Sequence, residues 1–126
     1  MHYNIVTKLY YMVGDIMANT SQLLKGILEG CILKIISEKE TYGYELYSSL
    51  SNYGFTDLSE GTLYPLLIRL EKNKLLSSVT RDSPLGPKRK YYSLTKLGES
   101  ELIDFCKAWD DISKSVNKIL DGDSNE

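Results

Sequence analysis

Apolar positions along this chain repeat at helical spacing in five stretches, with one break in the pattern. Leu24, Ile27, Leu28, Cys31, Ile32, Ile35 and Ile36 form one broad face. Ser21 stands where an N-cap would, so the spacing predicts a long helix from residue 21 to about residue 38. Gly26 and Gly30, four apart, predict a close helix–helix approach along it. A shorter helix opens at Tyr42-Gly43, with Leu46 and Leu50 facing inward. Asn52 to Asp57 reads as a turn in which Gly54 supplies backbone freedom. Ser59 caps a third helix with Leu63, Leu66, Leu67 and Leu70 as its core stripe. Its opposite face presents Gly61, Thr62, Tyr64, Pro65, Ile68, Arg69 and Lys72. Pro65 lies within the first two turns, where a missing N–H costs least.

The helical period then stops. Leu75–Arg81 and Arg89–Leu94 read as strands joined by the loop Asp82-Ser83-Pro84-Leu85-Gly86-Pro87-Lys88. Thr95 caps the last helix, and Glu99 and Glu101 sit near its positive end. The order is helix-turn-helix followed by a β-hairpin wing, an arrangement that puts one helix into the major groove of DNA while the hairpin lies on the backbone. The predicted fold class is mainly α with a small β-hairpin wing, a winged helix-turn-helix plus a C-terminal dimerisation helix.

That last helix carries Leu102, Phe105, Trp109, Ile112, Val116 and Ile119 at alternating steps of three and four, a heptad seam. A buried apolar side chain of this size contributes about 1.5–3 kcal/mol, so leaving six exposed is costly. The seam predicts a two-fold homodimer joined through this helix; the alternative is that the helix folds back on its own domain. Four segments result: residues 1–20 as an N-terminal extension or extra helix, 21–94 as the winged domain, 95–120 as the dimerisation helix and 121–126 as a frayed tail. Ile5, Leu9, Met12, Val13 and Ile16 have helical spacing, whereas Gly14 and a natural chain start near Met17 favour a poorly ordered extension.

Charge changes the picture locally rather than globally. The net charge is −2, but residues 1–98 carry 12 Lys and Arg against 9 Asp and Glu, and residues 99–126 carry 3 against 8. Residues 69–96 hold eight basic side chains and only Glu71 and Asp82 as acids. A basic stripe ending at a hairpin tip suits nucleic acid better than a merely solvated face does. Ten tyrosines against two phenylalanines point to half-buried sites with a polar end. Cys31 and Cys106 lie in apolar helical patterns and read as buried free thiols of a reducing cytoplasm. No cysteine–histidine spacing suits zinc, no cofactor is implied, and no stretch reads as a membrane span or a signal peptide. His2 is the sole histidine, and no phosphate loop, carboxylate pair or nucleophile–base motif argues for an enzyme.

Several short motifs, in order, resemble the PadR family of winged helix-turn-helix transcriptional regulators. They are Leu24-Lys25-Gly26 before Ile27-Leu28-Glu29, then Tyr42-Gly43-Tyr44-Glu45-Leu46, then Gly61-Thr62-Leu63-Tyr64-Pro65-Leu66-Leu67 with Arg69-Leu70-Glu71, and last Gly86-Pro87-Lys88-Arg89-Lys90-Tyr91-Tyr92-Ser93-Leu94-Thr95 with Gly98. The resemblance covers about residues 22–120 and fits the subgroup with a single C-terminal helix. It implies a homodimer, commonly a repressor, that binds inverted repeats near promoters. It also implies that Trp109 stands where drug-responsive members place a tryptophan that stacks on planar aromatic effectors. Ile68 departs from a position that is often basic in the family, and residues 1–18 have no clear counterpart.

Affinity for DNA needs phosphate contacts and specificity needs base-edge contacts. The candidate DNA-binding residues are Tyr44, Ser59, Gly61, Thr62, Tyr64, Arg69, Lys88, Arg89 and Lys90. For Tyr42, Tyr47 and Tyr92, packing and DNA contact are equally compatible with the pattern. Trp109 serves either as a seam residue or as an effector platform. A winged helix used only for protein contact is the rival reading, and it needs no basic wing tip. A regulator of another winged-helix family would differ only in dimer architecture.

Overall fold

The computed structural model describes residues 20–122. The expectations for residues 1–18 and for the end of the tail lie outside them. In chain order the elements are α1 (Thr20–Leu24), α2 (Leu28–Glu38), β1 (Thr41–Tyr42), α3 (Gly43–Asn52), α4 (Glu60–Lys72), β2 (Leu76–Ser83), β3 (Gly86–Leu94) and α5 (Lys96–Leu120). This is a winged helix: three helices over a small antiparallel sheet, followed by one long helix.

The single helix expected over residues 21–38 is instead two. A turn at residues 25–27 interrupts it, and the Ile27 N–H donates to the Leu24 carbonyl at 3.0 Å, a three-residue step rather than a helical four. Gly26, costly inside a helix, sits in that turn. Ser21 therefore lies inside α1 rather than capping a long helix. Among the described residues no atom lies near where a Gly26 Cβ would stand, so of the two glycines only Gly30 makes the expected close contact.

The core is built where the helical stripes converge. Leu28, Ile32, Leu33 and Ile36 of α2, Leu46 and Leu50 of α3, and Leu63, Leu67 and Leu70 of α4 are buried together with Leu58, Leu76 and Tyr92. Leu66 is half-buried at the edge of this cluster.

Two helix ends use the same hydrogen-bonded stop. After α3, the Gly54 N–H donates to the Ser51 carbonyl and the Phe55 N–H to the Leu50 carbonyl, both at 3.0 Å. After α4, the Lys74 N–H donates to the Glu71 carbonyl at 2.9 Å and the Leu75 N–H to the Leu70 carbonyl at 3.0 Å. This six-to-one, five-to-two pattern needs a left-handed residue at its centre. Gly54 supplies it at φ 117°, whereas α4 uses Lys74 at φ 65°.

The wing is larger than the strand pattern indicates. β2 and β3 extend to Ser83 and Gly86, so the expected seven-residue loop contracts to a tip at Pro84-Leu85 with Ser83 opposite Gly86. The pairing shifts register between Arg81 and Ser83. Two residues, Thr41 and Tyr42, add a third strand against Tyr92 and Tyr91, giving the order β1-β3-β2. A two-residue strand carries no period of its own, which is why the sequence pattern shows only the opening of α3 there.

α5 is capped by Thr95, whose Oγ1 accepts the Gly98 N–H at 3.0 Å and donates to the Lys74 carbonyl at 2.7 Å. A Cβ at Gly98 would collide with the Leu75 carbonyl oxygen. The end of α4 and the start of α5 are thus bound at one point. Farther along, the Phe105 ring lies on Gly30 and fills the space a Cβ would need. The first part of the seam therefore covers its own domain: Leu102 packs against the core and Phe105 is half-buried. The remainder stays open, with Trp109 47% exposed, Ile112 57%, Val116 44% and Ile119 79%. Cys31 is half-buried but Cys106 is exposed, contrary to the expectation of two buried thiols. Cys106 lies one step off the face that carries Phe105 and Leu102.

The two left-handed stops predict opposite responses. Lys74→Gly is expected to raise stability by about 1 kcal/mol by relieving left-handed backbone at a residue with a Cβ. Gly54→Ala is expected to lower it by about 1–2 kcal/mol. Urea midpoints at constant slope read both, and equal shifts of one sign would contradict the assignment.

Candidate nucleic-acid interface

α4 shows its polar face because its leucines point the other way. Ser59 caps it: the Thr62 N–H donates to Ser59 Oγ at 3.2 Å, and the two side-chain oxygens are 3.1 Å apart. Ser59, Gly61 and Thr62 are all exposed at this end. A Cβ at Gly61 would meet only Ser59 Oγ at an ordinary 3.7 Å, so local packing among the described residues does not require glycine there. Pro65 has no N–H, which deprives the Gly61 carbonyl of its helical donor and leaves an acceptor on the exposed turn.

Tyr64 leaves the same helix toward the wing and meets α3. A Cβ built on Gly43 would stand 2.5 Å from Tyr64 Cε1 and 3.1 Å from its hydroxyl oxygen. Only glycine lets the ring lie there. Between these two helices and β3 is an open cleft of about 340 Å³. Tyr42, Gly43 and Tyr44 line it from β1 and α3, and Tyr64 from α4. Lys88, Arg89, Lys90 and Tyr92 line it from β3. The cleft thus gathers Tyr44, Tyr64 and the three wing cations out of the expected DNA-binding set. Ser59, Gly61 and Thr62 stay outside it, on the exposed first turn of α4.

Arg69 is placed elsewhere. Its guanidinium donates to the Glu29 carboxylate of α2, tying α4 to the first long helix. A chain separation of forty residues hid this partner from the sequence pattern.

Cations on the sheet are held by tyrosine rings and by acids. Arg89 lies 4.5 Å over the Tyr42 ring, and Tyr42 packs against Tyr91 at 5.2 Å between centroids. Arg81 lies 5.0 Å over Tyr91 and pairs with Glu40. Such stacking leaves the guanidinium edge free to donate. Lys90 Nζ reaches Glu71 at 2.7 Å and lies 5.5 Å over the Tyr92 ring. Lys88 has a loose 4.0 Å contact with the exposed Asp82.

Glu71 is the residue the sequence pattern did not single out. It lies in the last turn of α4, accepts from Lys90 on β3, and accepts from Ser78 Oγ on β2 at 2.6 Å. The Lys90 bond, then the Ser78 bond, holds its carboxyl below the ordinary carboxylate range. The same pair raises Lys90 above the ordinary lysine value. Burial raises the Tyr64 hydroxyl, with Glu60 adding to it, and burial also raises Tyr92. Both phenols are therefore neutral donors at ordinary pH. Tyr92 is at once core and cleft lining, whereas Tyr47 packs against the core. Among the described residues no cluster of histidine, cysteine, aspartate and glutamate could hold a metal ion, and no helix is long and apolar enough to cross a membrane.

Comparison with known proteins agrees with this architecture. The transcriptional regulator PadR-like family matches residues 32–104. A PadR-like transcriptional regulator from Bacillus cereus is 52% identical, with 79% of this chain and 96% of that chain covered and a TM-score of 0.72. A PadR family transcriptional regulator from Eggerthella lenta is 32% identical over 90% of this chain and 96% of its own, with a TM-score of 0.74. The transcriptional regulator Rv3488 of Mycobacterium tuberculosis is 35% identical over 85 residues, 68% of this chain and 78% of its own. These are regulators, not enzymes.

The Glu71 node makes stability depend on pH. Its folded pKa is lowered, so its contribution is complete above the unfolded value of about 4.3 and is lost as pH falls through the folded value. Wild-type protein is expected to lose stability between about pH 5 and pH 3 more steeply than Glu71→Gln. Denaturant midpoints across that range give the answer, and parallel profiles would remove Glu71 as a linked group.

Proposed function

The chain belongs to the transcriptional regulator PadR-like family, and from that premise we propose that it is a ligand-responsive repressor binding an inverted-repeat promoter site as a homodimer. The observation that carries the reading is the cleft. It joins the junction of β1 and α3, Tyr64 of α4 and the wing strand β3, and lines them with three cations and several phenol groups. Nucleic-acid backbone is a dense row of anions, and donors converging from two elements suit it. The exposed first turn of α4, with Gly61, Thr62 and the hydroxyl of Ser59, is the part offered to base edges. Ile68, 60% exposed on that helix, suits a thymine methyl rather than a phosphate.

The second element is the open half of α5. Trp109, Ile112, Val116 and Ile119 continue the seam after Leu102 and Phe105 have covered the chain's own core. A second copy placed along them buries that stripe and sets two α4 helices about 34–36 Å apart, one turn of duplex. Effector control follows the same geometry. A planar aromatic molecule between the two Trp109 rings changes DNA affinity only as far as it favours one spacing of the pair. A cytoplasmic location fits a protein that acts on chromosomal DNA.

Mobility shift with a promoter fragment tests the DNA reading. Binding is expected to weaken as salt rises, and Lys88→Ala with Lys90→Ala is expected to flatten that dependence for every sequence. Each phosphate interaction removed lowers the slope of log K by about 0.9, so the loss of Lys88 from both protomers lowers it by about 1.8, and Lys90, already paired with Glu71, adds less. No shift with any duplex at low ionic strength would leave a protein-contact module instead. Sedimentation tests the dimer: wild-type protein is expected to be dimeric and Ile112→Asp monomeric. Planar cations or phenolic acids are expected to quench Trp109 only in the dimer.

A further inference from the structure

We infer that the cleft between α3, α4 and β3 seats one backbone phosphate of the duplex, held by Lys88 and Arg89 and by the hydroxyl of Tyr64, and that Gly43 is the residue that makes this seat possible. The inference rests on the DNA-binding reading and assigns that reading's anion to a place. The cations of the cleft are unequal. Lys90 is already matched by Glu71 at 2.7 Å, whereas Lys88 has the loose contact with Asp82 at 4.0 Å. Arg89 is steadied by the face of the Tyr42 ring, so its donors are oriented before any ligand arrives.

Tyr64 adds a neutral donor. Its ring lies on the Gly43 backbone with the hydroxyl oxygen 3.1 Å from where a Cβ would stand, which fixes that oxygen at the mouth of α3. Any larger residue at position 43 displaces the ring. The lining suits a phosphate oxygen: cationic and phenolic donors share one cleft, and of the nearby acids Glu71 is matched by Lys90, Asp82 keeps only its loose contact with Lys88, and Glu60 acts on Tyr64 strongly enough to help keep that phenol protonated as a donor. About 340 Å³ of open space admits a phosphodiester with its flanking sugar. Duplex backbone and free phosphate share this chemistry. The open cleft adjoining both the exposed helix and the wing favours the backbone.

The test uses the full chain and a duplex selected for binding to it. Single phosphates are replaced one at a time by uncharged methylphosphonate, and affinity is measured for wild type, Lys88→Ala, Tyr64→Phe, Gly43→Ala and the control Lys34→Ala. One position per half-site is expected to weaken wild-type binding about tenfold. That position is expected to be silent in Lys88→Ala, and much weaker in Tyr64→Phe and Gly43→Ala. Lys34→Ala, whose partner Glu38 lies on its own helix, is expected to behave as wild type. Tyr64→Phe removes one oxygen without touching the core, so it decides the matter even if Gly43→Ala folds poorly. If the wild-type protein binds duplex but the sensitive positions are the same in Tyr64→Phe and Lys88→Ala as in wild type, the cleft assignment is wrong and DNA binding stands. If the wild-type protein binds no duplex, both are wrong. Saturable shifts of the Tyr64 signals by inorganic phosphate, together with a flat methylphosphonate scan, would overturn the backbone assignment in favour of a small-anion site.

Discussion

Burial of Leu63, Leu67 and Leu70 along one side of α4 is the constraint on which the rest of the molecule depends. These three leucines are at most 1% exposed. With them inside, the turn carrying Gly61, Thr62, Tyr64 and Pro65 has no choice but to face out. The helix cannot rotate by one position without exposing leucine and burying threonine and tyrosine, a change that costs several kcal/mol. Side-chain chemistry on the outer face is thereby free to serve another molecule.

Around this helix, electrostatics is divided between holding and offering. Arg69, Arg81 and Lys90 each have a carboxylate partner on another element or its flank: Glu29, Glu40 and Glu71. These pairs lie at or near the surface, so each contributes modestly to stability. Their larger effect is geometric, because they set α4 against α2 and the wing against both the start of β1 and α4. Among the described residues no carboxylate holds Lys88 or Arg89 as tightly, and both remain at the cleft. Adjacent residues of one strand thus differ in role through what stands opposite them, not through their own chemistry.

Contacts at two glycines relate the long helix to the winged domain. Gly98 lets the start of α5 approach the Leu75 carbonyl, and Gly30 lets the Phe105 ring lie on α2. Each contact leaves no room for a methyl group, so α5 leaves the domain at one angle. Beyond Phe105 the same apolar face continues without cover from the described part of its own chain. One stripe therefore does two jobs in succession: its first turns complete the core, and its later turns are left for a second surface.

The order of the later helices, the cap at Ser59, the cap at Thr95 and the core leucines of α3 and α4 were legible in the chain, because each is a local pattern of a few residues with one physical solution; Leu33 and Leu58 joined the core without standing out in it. Gly54 at the end of α3 is in the same class. The break at Gly26, the third strand at Thr41-Tyr42 and the short wing tip were not. The strand and the tip depend on pairing with residues farther along the chain, and a two-residue strand or a single turn carries no period. For the candidate interface, residue types pointed to a basic wing and a tyrosine-bearing helix. Only the folded chain decided which cations were already matched, that Arg69 faces Glu29, and that Gly43 and Tyr64 share one surface. Periodicity states which side of a helix is apolar. Which two sides meet is decided by packing, and packing is a property of the whole chain.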